Sequence, residues 1–251
     1  MNISYAILLG ILQGLTEFLP ISSSAHLVIV QSYIKDFHQP GALFDITLHF
    51  GTLLAIFIYF RKEIKNILFN NRKVIILIVI GSIPTGIIGL LLKDYAEILF
   101  SSLSLSSLML IVTGILLYIA SKFNNNGKKE IRKSDAILIG VIQGLSVIPG
   151  ISRSGSTISV GIYRGIKAEH AAEFSFLLSI PAVLGANILS MRDFVLLSGT
   201  EVSYYIIGML TSFLSGLIGL HFLMKFINRL NYFSYYCFAI GGINLIEAFK
   251  I

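Results

Sequence analysis

Two short stretches of this 251-residue chain combine side chains able to do chemistry with backbone that interrupts a helix. In the first, Gln13 and Glu17 stand four residues apart, and Phe18-Leu19-Pro20-Ile21 leads into Ser22, Ser23, Ser24, Ala25 and His26. A four-residue spacing puts Gln13 and Glu17 on one helix face. Serines after a proline suit the start of a second helix, where hydroxyls and free backbone N–H groups form an anion site. His26 adds a group that titrates near neutrality. In the second stretch, Pro149-Gly150-Ile151-Ser152 runs into Arg153, Ser154, Gly155, Ser156 and Thr157. Along the chain the nearest charges to Arg153 are the distant Asp135 and Arg164. An isolated guanidinium needs an anionic partner, and its planar fork fits phosphate oxygens. Glycines 150 and 155 allow a ligand to approach backbone N–H groups closely.

The elements that must hold these groups are membrane spans. Hydrophobic residues make up 55% of the chain and charged residues 13%, about half the usual share. Residues 74–92, 101–121, 174–191, 202–224 and 230–246 contain no Asp, Glu, Lys or Arg. Several approach the roughly 20 apolar residues that cross a bilayer core, which excludes a soluble helical protein. In this setting a carboxylate costs about 2.5–3.5 kcal/mol or more at mid-membrane, so Glu17 is there for a reason. An incidental serine-rich cap explains Ser22 or Ser24 equally well, and a purely structural Glu17–Arg153 ion pair is the bland alternative for the two charges.

Loop charges set an expected orientation. Residues 61–73 and 122–135 each carry five basic residues against one and two acidic ones, and 225–232 holds Lys225 and Arg229. These loops should lie in the cytoplasm, with the more acidic loops 93–105 and 191–203 outside. The net charge of +6 thus reads as topology, not as a nucleic-acid surface. The apolar N-terminus lacks the basic leader of a signal peptide. Cys237 is the single cysteine and reads as inert within a span.

Residues 7–27 align without gaps to residues 137–157, with Gln13-Gly14-Leu15 matching Gln143-Gly144-Leu145. Three apolar spans follow each copy: 42–60, 74–92 and 101–121, then 171–190, 202–224 and 230–249. Three crossings per half invert the second half relative to the first. The expected fold is therefore an all-α polytopic membrane protein of one domain, 1–251, built as inverted-topology repeats 1–122 and 131–251. About six full spans are expected, with two re-entrant helical hairpins breaking at Pro20–Ser24 and Pro149–Gly155 and meeting near the midplane. Non-helical backbone survives there only when buried in protein or lining a wet cavity. Asp45 and His49, four apart in the first span, either line that cavity or sit at its outer rim. Glu169, His170 and Glu173 are as easily interfacial as functional.

With both clusters in view, the chain resembles the undecaprenyl-diphosphatase family, bacterial membrane enzymes linked to bacitracin resistance. The family's (E/Q)-x-x-x-E motif running into F-L-P-[VI]-S-S-[TS]-G-H reads here as Gln13, Glu17 and FLPISSSAH, with Ala25 replacing the glycine. Its P-G-x-S-R-S-G motif stands unaltered at Pro149–Gly155, and its E-F-S-F-L-L-[SA]-[IV]-P stretch at Glu173–Pro181. The resemblance implies hydrolysis of undecaprenyl diphosphate to undecaprenyl phosphate and inorganic phosphate, at the outer face of the bacterial plasma membrane, with Mg²⁺ or Ca²⁺. On that basis Glu17, Ser23, His26 and Arg153 are the expected catalytic residues. Ser22, Ser24, Ser152, Ser154, Gly155 and Thr157 would bind substrate, and Gln13 with Glu17 would hold the metal. The nucleophile is either Ser23 activated by His26 or His26 itself. The expected partners are the polyprenyl diphosphate and bilayer lipid, with a homodimer as a further expectation. The competing reading is a transporter or flippase of a polyprenyl phosphate, since inverted repeats with broken helices are also transporter architecture. A scaffold without activity leaves Glu17, His26 and Arg153 unexplained at membrane depth.

Overall fold

The computed structural model describes residues 3–33, 43–92, 95, 99, 102–123, 127, 130–189 and 199–248. The loops 93–105 and 191–203 that carry the outward orientation lie largely outside the described residues, as does much of 122–135.

Among the described residues there are eleven α-helices. They are α1 (Ile3–Phe18), α2 (Ser23–Tyr33), α3 (Leu43–Tyr59), α4 (Arg61–Phe69), α5 (Arg72–Leu92) and α6 (Leu103–Ala120), then α7 (Lys133–Leu145), α8 (Arg153–Tyr163), α9 (Ala168–Leu189), α10 (Gly199–Phe226) and α11 (Leu230–Ala248). Four of them, α5, α6, α9 and α10, are long and apolar enough to cross a membrane. A fifth crossing is obtained if α3 and α4, bent by 70° at Phe60, count as one. Of the six expected spans, 230–249 falls on α11, whose tyrosines and asparagines keep it out of that set. The basic segment 61–73, read from sequence as a loop, contains the helix α4. Its Ile64 and Ile67, three residues apart, are half-buried and buried while Arg61, Lys62 and Lys65 are exposed, so the helix is amphipathic, as an interfacial helix is.

The helices flanking the two breaks are short. At 1.5 Å per residue, α1 reaches about 24 Å and α2, α7 and α8 about 16–20 Å, less than the roughly 30 Å hydrocarbon core. Each long partner is gripped through glycine. A Cβ on Gly10 or Gly14 of α1 would come within 2.0 Å of Thr211 Oγ1 or Ser215 Oγ on α10. A Cβ on Gly140 of α7 would come within 2.1 Å of the Gly81 carbonyl on α5. Lipid tails are as apolar as leucine, so helices associate in a membrane by close packing and hydrogen bonds, and small residues permit both. Here the hydrogen bonds match as well. Ser215 Oγ reaches the Gly10 carbonyl at 3.3 Å, and Thr85 Oγ1 reaches the Gly140 carbonyl at 2.8 Å.

The remaining contacts pair in the same way. α3 packs on α10 as α9 packs on α5, while α6 pairs with α11 and α3 with α9. The buried cluster between the halves contains Phe18, Phe60, Phe174 and Phe176, with Phe18 and Phe176 edge to face at 5.5 Å. These rings close the apolar side of the space between the two breaks.

Candidate active site

The first break begins where Pro20 cannot continue α1. Ile21 N–H turns back to the Leu19 carbonyl at 2.7 Å, and Ser22 takes a left-handed conformation with φ +65°. That conformation is costly for a residue with a Cβ and is held at functional sites by its surroundings. Ser22 Oγ then accepts from the Ala25 N–H at 3.4 Å, and α2 starts at Ser23. The second break repeats the device. Ser152 caps α8 by accepting from the Gly155 N–H at 3.1 Å, and Arg153 is the first helical residue. Thr113 of α6 holds this break by donating to the Gly150 carbonyl at 2.8 Å and accepting from Ser152 N–H at 2.9 Å. Gly150 has φ +97°, and a Cβ there would lie 2.2 Å from the Ser106 carbonyl, so glycine is required. The breaks touch: Ser154 Oγ donates to the Leu19 carbonyl at 3.2 Å.

Glu17, at the end of α1, is the point on which the site converges. Its carboxylate is 6% exposed and collects donors from three elements. Arg153 Nη2 donates to Oε1 at 2.6 Å, Ser23 Oγ to Oε2 at 2.7 Å, and Gln13 Nε2 to Oε2 at 2.9 Å. His49 Nδ1 lies 3.3 Å from Oε2 and 2.9 Å from Gln13 Nε2. Arg153 and Ser23 are thus the first residues of α8 and α2, brought to one carboxylate from opposite halves of the chain. The pair is strongly held, because removing one partner of a buried ion pair leaves an uncompensated charge costing about 3–5 kcal/mol. It is not saturated. Arg153 Nη1 is buried with no hydrogen-bond partner, and the guanidinium lies 5.7 Å over the Phe176 ring. One edge of the fork is anchored on Glu17 while the other makes no hydrogen bond, so the ion pair leaves donor capacity on the guanidinium.

The imidazole placed with Glu17 differs from the expected one. Of the two expected alternatives, the one in which His26 activates Ser23 would bond these two side chains, yet the Ser23 hydroxyl donates to Glu17. The His26 ring is bonded at Nδ1 to the Ser22 carbonyl (2.7 Å) and at Nε2 to the Tyr236 hydroxyl (2.8 Å). Ser23 and His26, three apart, still share a face of α2. The imidazole at Glu17 is His49, whose only sequence signal was a second polar residue four positions after Asp45 inside an apolar span. Glu169 bonds Asn228 at 2.8 Å, and His170 and Glu173 pair with each other at 3.7 Å.

The expected substrate-binding hydroxyls are engaged within the breaks. Ser22 and Ser24 lie 3.1 Å apart, as Ser152 and Ser154 lie 3.3 Å apart. Thr157 Oγ1 is fully buried between the Arg153 carbonyl and Ser175 Oγ of α9, each at 2.6 Å, so it shapes α8 against α9. Gly155 is packed against Ser152 and the Pro20 carbonyl.

For a divalent cation, no group of three or more His, Cys, Asp or Glu residues suited to a metal occurs among the described residues. The donor set still fits an ion shared with substrate. Gln13 is fully buried and its Oε1 has no hydrogen-bond partner, although it sits beside the Glu17 carboxylate. Mg²⁺ is commonly held by one or two protein oxygens plus substrate phosphates.

Comparison with known proteins finds relatives over nearly the whole chain. Residues 6–243 match the family model for bacitracin resistance protein BacA. The chain is 43% identical to the undecaprenyl-diphosphatase of Syntrophotalea carbinolica, with 96% of this chain and 97% of that protein covered. It is 42% identical to that of Halothermothrix orenii, with 99% of each chain covered. For the enzyme of Carboxydothermus hydrogenoformans the identity is 43%, covering 96% of this chain and 95% of the relative. A buried carboxylate–guanidinium pair assembled from both halves of an apolar chain, and a full-length match of this kind, lead to one conclusion: the chain belongs to the bacitracin resistance protein BacA family.

Proposed function

We infer that this chain is an undecaprenyl-diphosphate phosphatase, a membrane hydrolase that releases inorganic phosphate and returns the monophosphate carrier lipid to cell-wall synthesis. The observation that carries this reading is the convergence on Glu17 of the Ser23 hydroxyl and the Arg153 guanidinium, with one guanidinium edge left for phosphate.

In the proposed reaction Arg153 Nη1 and the N–H groups starting α2 and α8 bind the terminal phosphoryl group and offset its charge. Ser23 Oγ attacks that phosphorus and passes its proton to Glu17 Oε2. The bond from phosphorus to the bridging oxygen breaks, and the polyprenyl monophosphate leaves. Water then attacks the phosphoserine and gives its proton to His26 Nε2. Inorganic phosphate departs as Ser23 recovers its proton from Glu17, and His26 releases its proton to solvent, which restores the starting state. Ser23 is favoured over His26 as nucleophile because its hydroxyl already donates to a carboxylate able to take its proton. A divalent cation, Mg²⁺ or Ca²⁺, would be held by Gln13 Oε1 and Glu17, and would neutralise charge on the diphosphate.

Inverted repeats, with the two hairpins re-entering the membrane, are the architecture we propose for this site. The reciprocal helix pairing and the four short helices support it. The basic loops favour an inner-membrane orientation with the site opening outward.

The test is phosphate release by purified protein in detergent, given farnesyl or undecaprenyl diphosphate and Mg²⁺. Release without a second compartment establishes catalysis. A protein that binds the lipid but releases no phosphate would point to a flippase instead.

A further inference from the structure

Three tyrosines of α11, Tyr232, Tyr235 and Tyr236, are exposed on the surface of the molecule. Such residues ordinarily serve as lipid-facing anchors. Tyr236 departs from its neighbours because its hydroxyl turns inward, 2.8 Å from His26 Nε2, across 210 residues of sequence. The two rings are nearly parallel, with planes 8° apart and centroids separated by 5.6 Å. The opposite nitrogen, Nδ1, is 2.7 Å from the Ser22 carbonyl. A carbonyl only accepts, so Nδ1 carries the hydrogen. In the neutral ring the lone pair is then on Nε2, and the Tyr236 hydroxyl donates to it.

We propose that Tyr236 is a positioning residue for hydrolysis, fixing the His26 ring and holding its Nε2 lone pair ready for the attacking water. The proposal rests on the role given to His26 above. One bond would leave the imidazole free to swing about its ring axis. Two bonds, at opposite nitrogens and from opposite halves of the chain, fix both its rotation and its tautomer. The left-handed turn at Ser22 supplies the first by aiming its carbonyl along the helix at His26. Tyr236 supplies the second in the resting site, setting the ring and its tautomer before water takes the place of its hydroxyl at Nε2, while the Ser22 bond at Nδ1 persists.

Tyr236→Phe keeps the ring and removes only the hydroxyl. Because small misplacements of reacting groups cost rate, kcat should fall ~10-fold, with KM for farnesyl diphosphate within about twofold of the parent. In protein labelled with ¹⁵N-histidine, the His26 Nε2 resonance should shift while Nδ1 keeps its protonated signature. On a His26→Gln background the same change should add nothing, because coupled residues are not additive. An unchanged kcat, an unmoved Nε2 resonance, or a loss that adds fully to His26→Gln would overturn the proposal. If His26→Gln itself retains parental activity, the role of His26 is wrong and the larger reading must change. An inactive His26→Gln beside a fully active Tyr236→Phe defeats only the Tyr236 inference.

Discussion

The break after α1 and the break after α7 have one design and different contents. Both follow a helix gripped through glycine, both carry a buried glutamine whose Oε1 has no hydrogen-bond partner, and both restart on a serine cap. At the aligned positions Glu17 faces Val147, Ser23 faces Arg153 and His26 faces Ser156. The first break therefore supplies the carboxylate, the hydroxyl and the imidazole, and the second supplies the cation. The two stretches thus share a frame and differ in the polar side chains that it carries.

That comparison is broken most severely by removing its charges. Arg153→Ala should lower the rate of phosphate release by at least about 10²–10³-fold, as should Glu17→Gln, while Val147→Ala stays within about twofold. Equal losses at Glu17 and Val147 would mean that the two breaks are functionally alike. Arg153→Lys should remain deeply impaired, because an ammonium cannot hold Glu17 and a phosphate oxygen through one planar fork.

The two glutamines sharpen the contrast. Gln13→Ala should raise the Mg²⁺ concentration needed for half-maximal activity by about 10-fold or more, and chelation should stop the parent enzyme. Gln143 instead donates to the Leu178 carbonyl at 3.1 Å, with no carboxylate at the Val147 position. Gln143→Ala should therefore lower thermal stability and leave the Mg²⁺ titration unmoved. A shifted Mg²⁺ requirement in Gln143→Ala would argue for a second metal position.

Packing should treat the halves alike. Gly14→Ala and Gly140→Ala each force a Cβ into backbone, at 2.4 Å from the Ser212 carbonyl and 2.1 Å from the Gly81 carbonyl. Each should destabilise by about 1–3 kcal/mol or more in detergent unfolding, a loss typical of overpacking. The smallest effect separates the caps again. Ser152→Ala should cost ~1 kcal/mol as a lost cap. Ser22→Gly should be nearly neutral, since glycine accepts the φ of +65° that serine resists. A Ser22→Gly protein as unstable as Ser152→Ala would show that the Ser22 hydroxyl matters more than its backbone.

Much of the site was readable in advance because charge is rare in an apolar chain. Glu17 and Arg153 stood out for that reason, and the ungapped match of 7–27 to 137–157 located both breaks. His49 was not separable from a residue at the membrane rim, since its spacing from Asp45 gives a helix face and not what that face meets. Tyr236 carried no signal at all among three neighbouring tyrosines. The bend at Phe60 escaped for a related reason: five basic residues mark a wet segment whether it is a loop or an interfacial helix.

By itself the sequence determined that the chain carries several membrane-spanning lengths of apolar residues, that 7–27 and 137–157 share a pattern, and which few polar residues had to find partners. Those follow from solvation, which acts on each residue and segment separately. Only the tertiary structure decided who pairs with whom: Ser23 with Glu17 and not with His26, His49 beside Gln13, Tyr236 against His26. Such pairings depend on helix rotation and on approach across 6, 36 and 210 residues of chain respectively, and a shift of one residue on either helix turns a side chain by about 100° and breaks the bond.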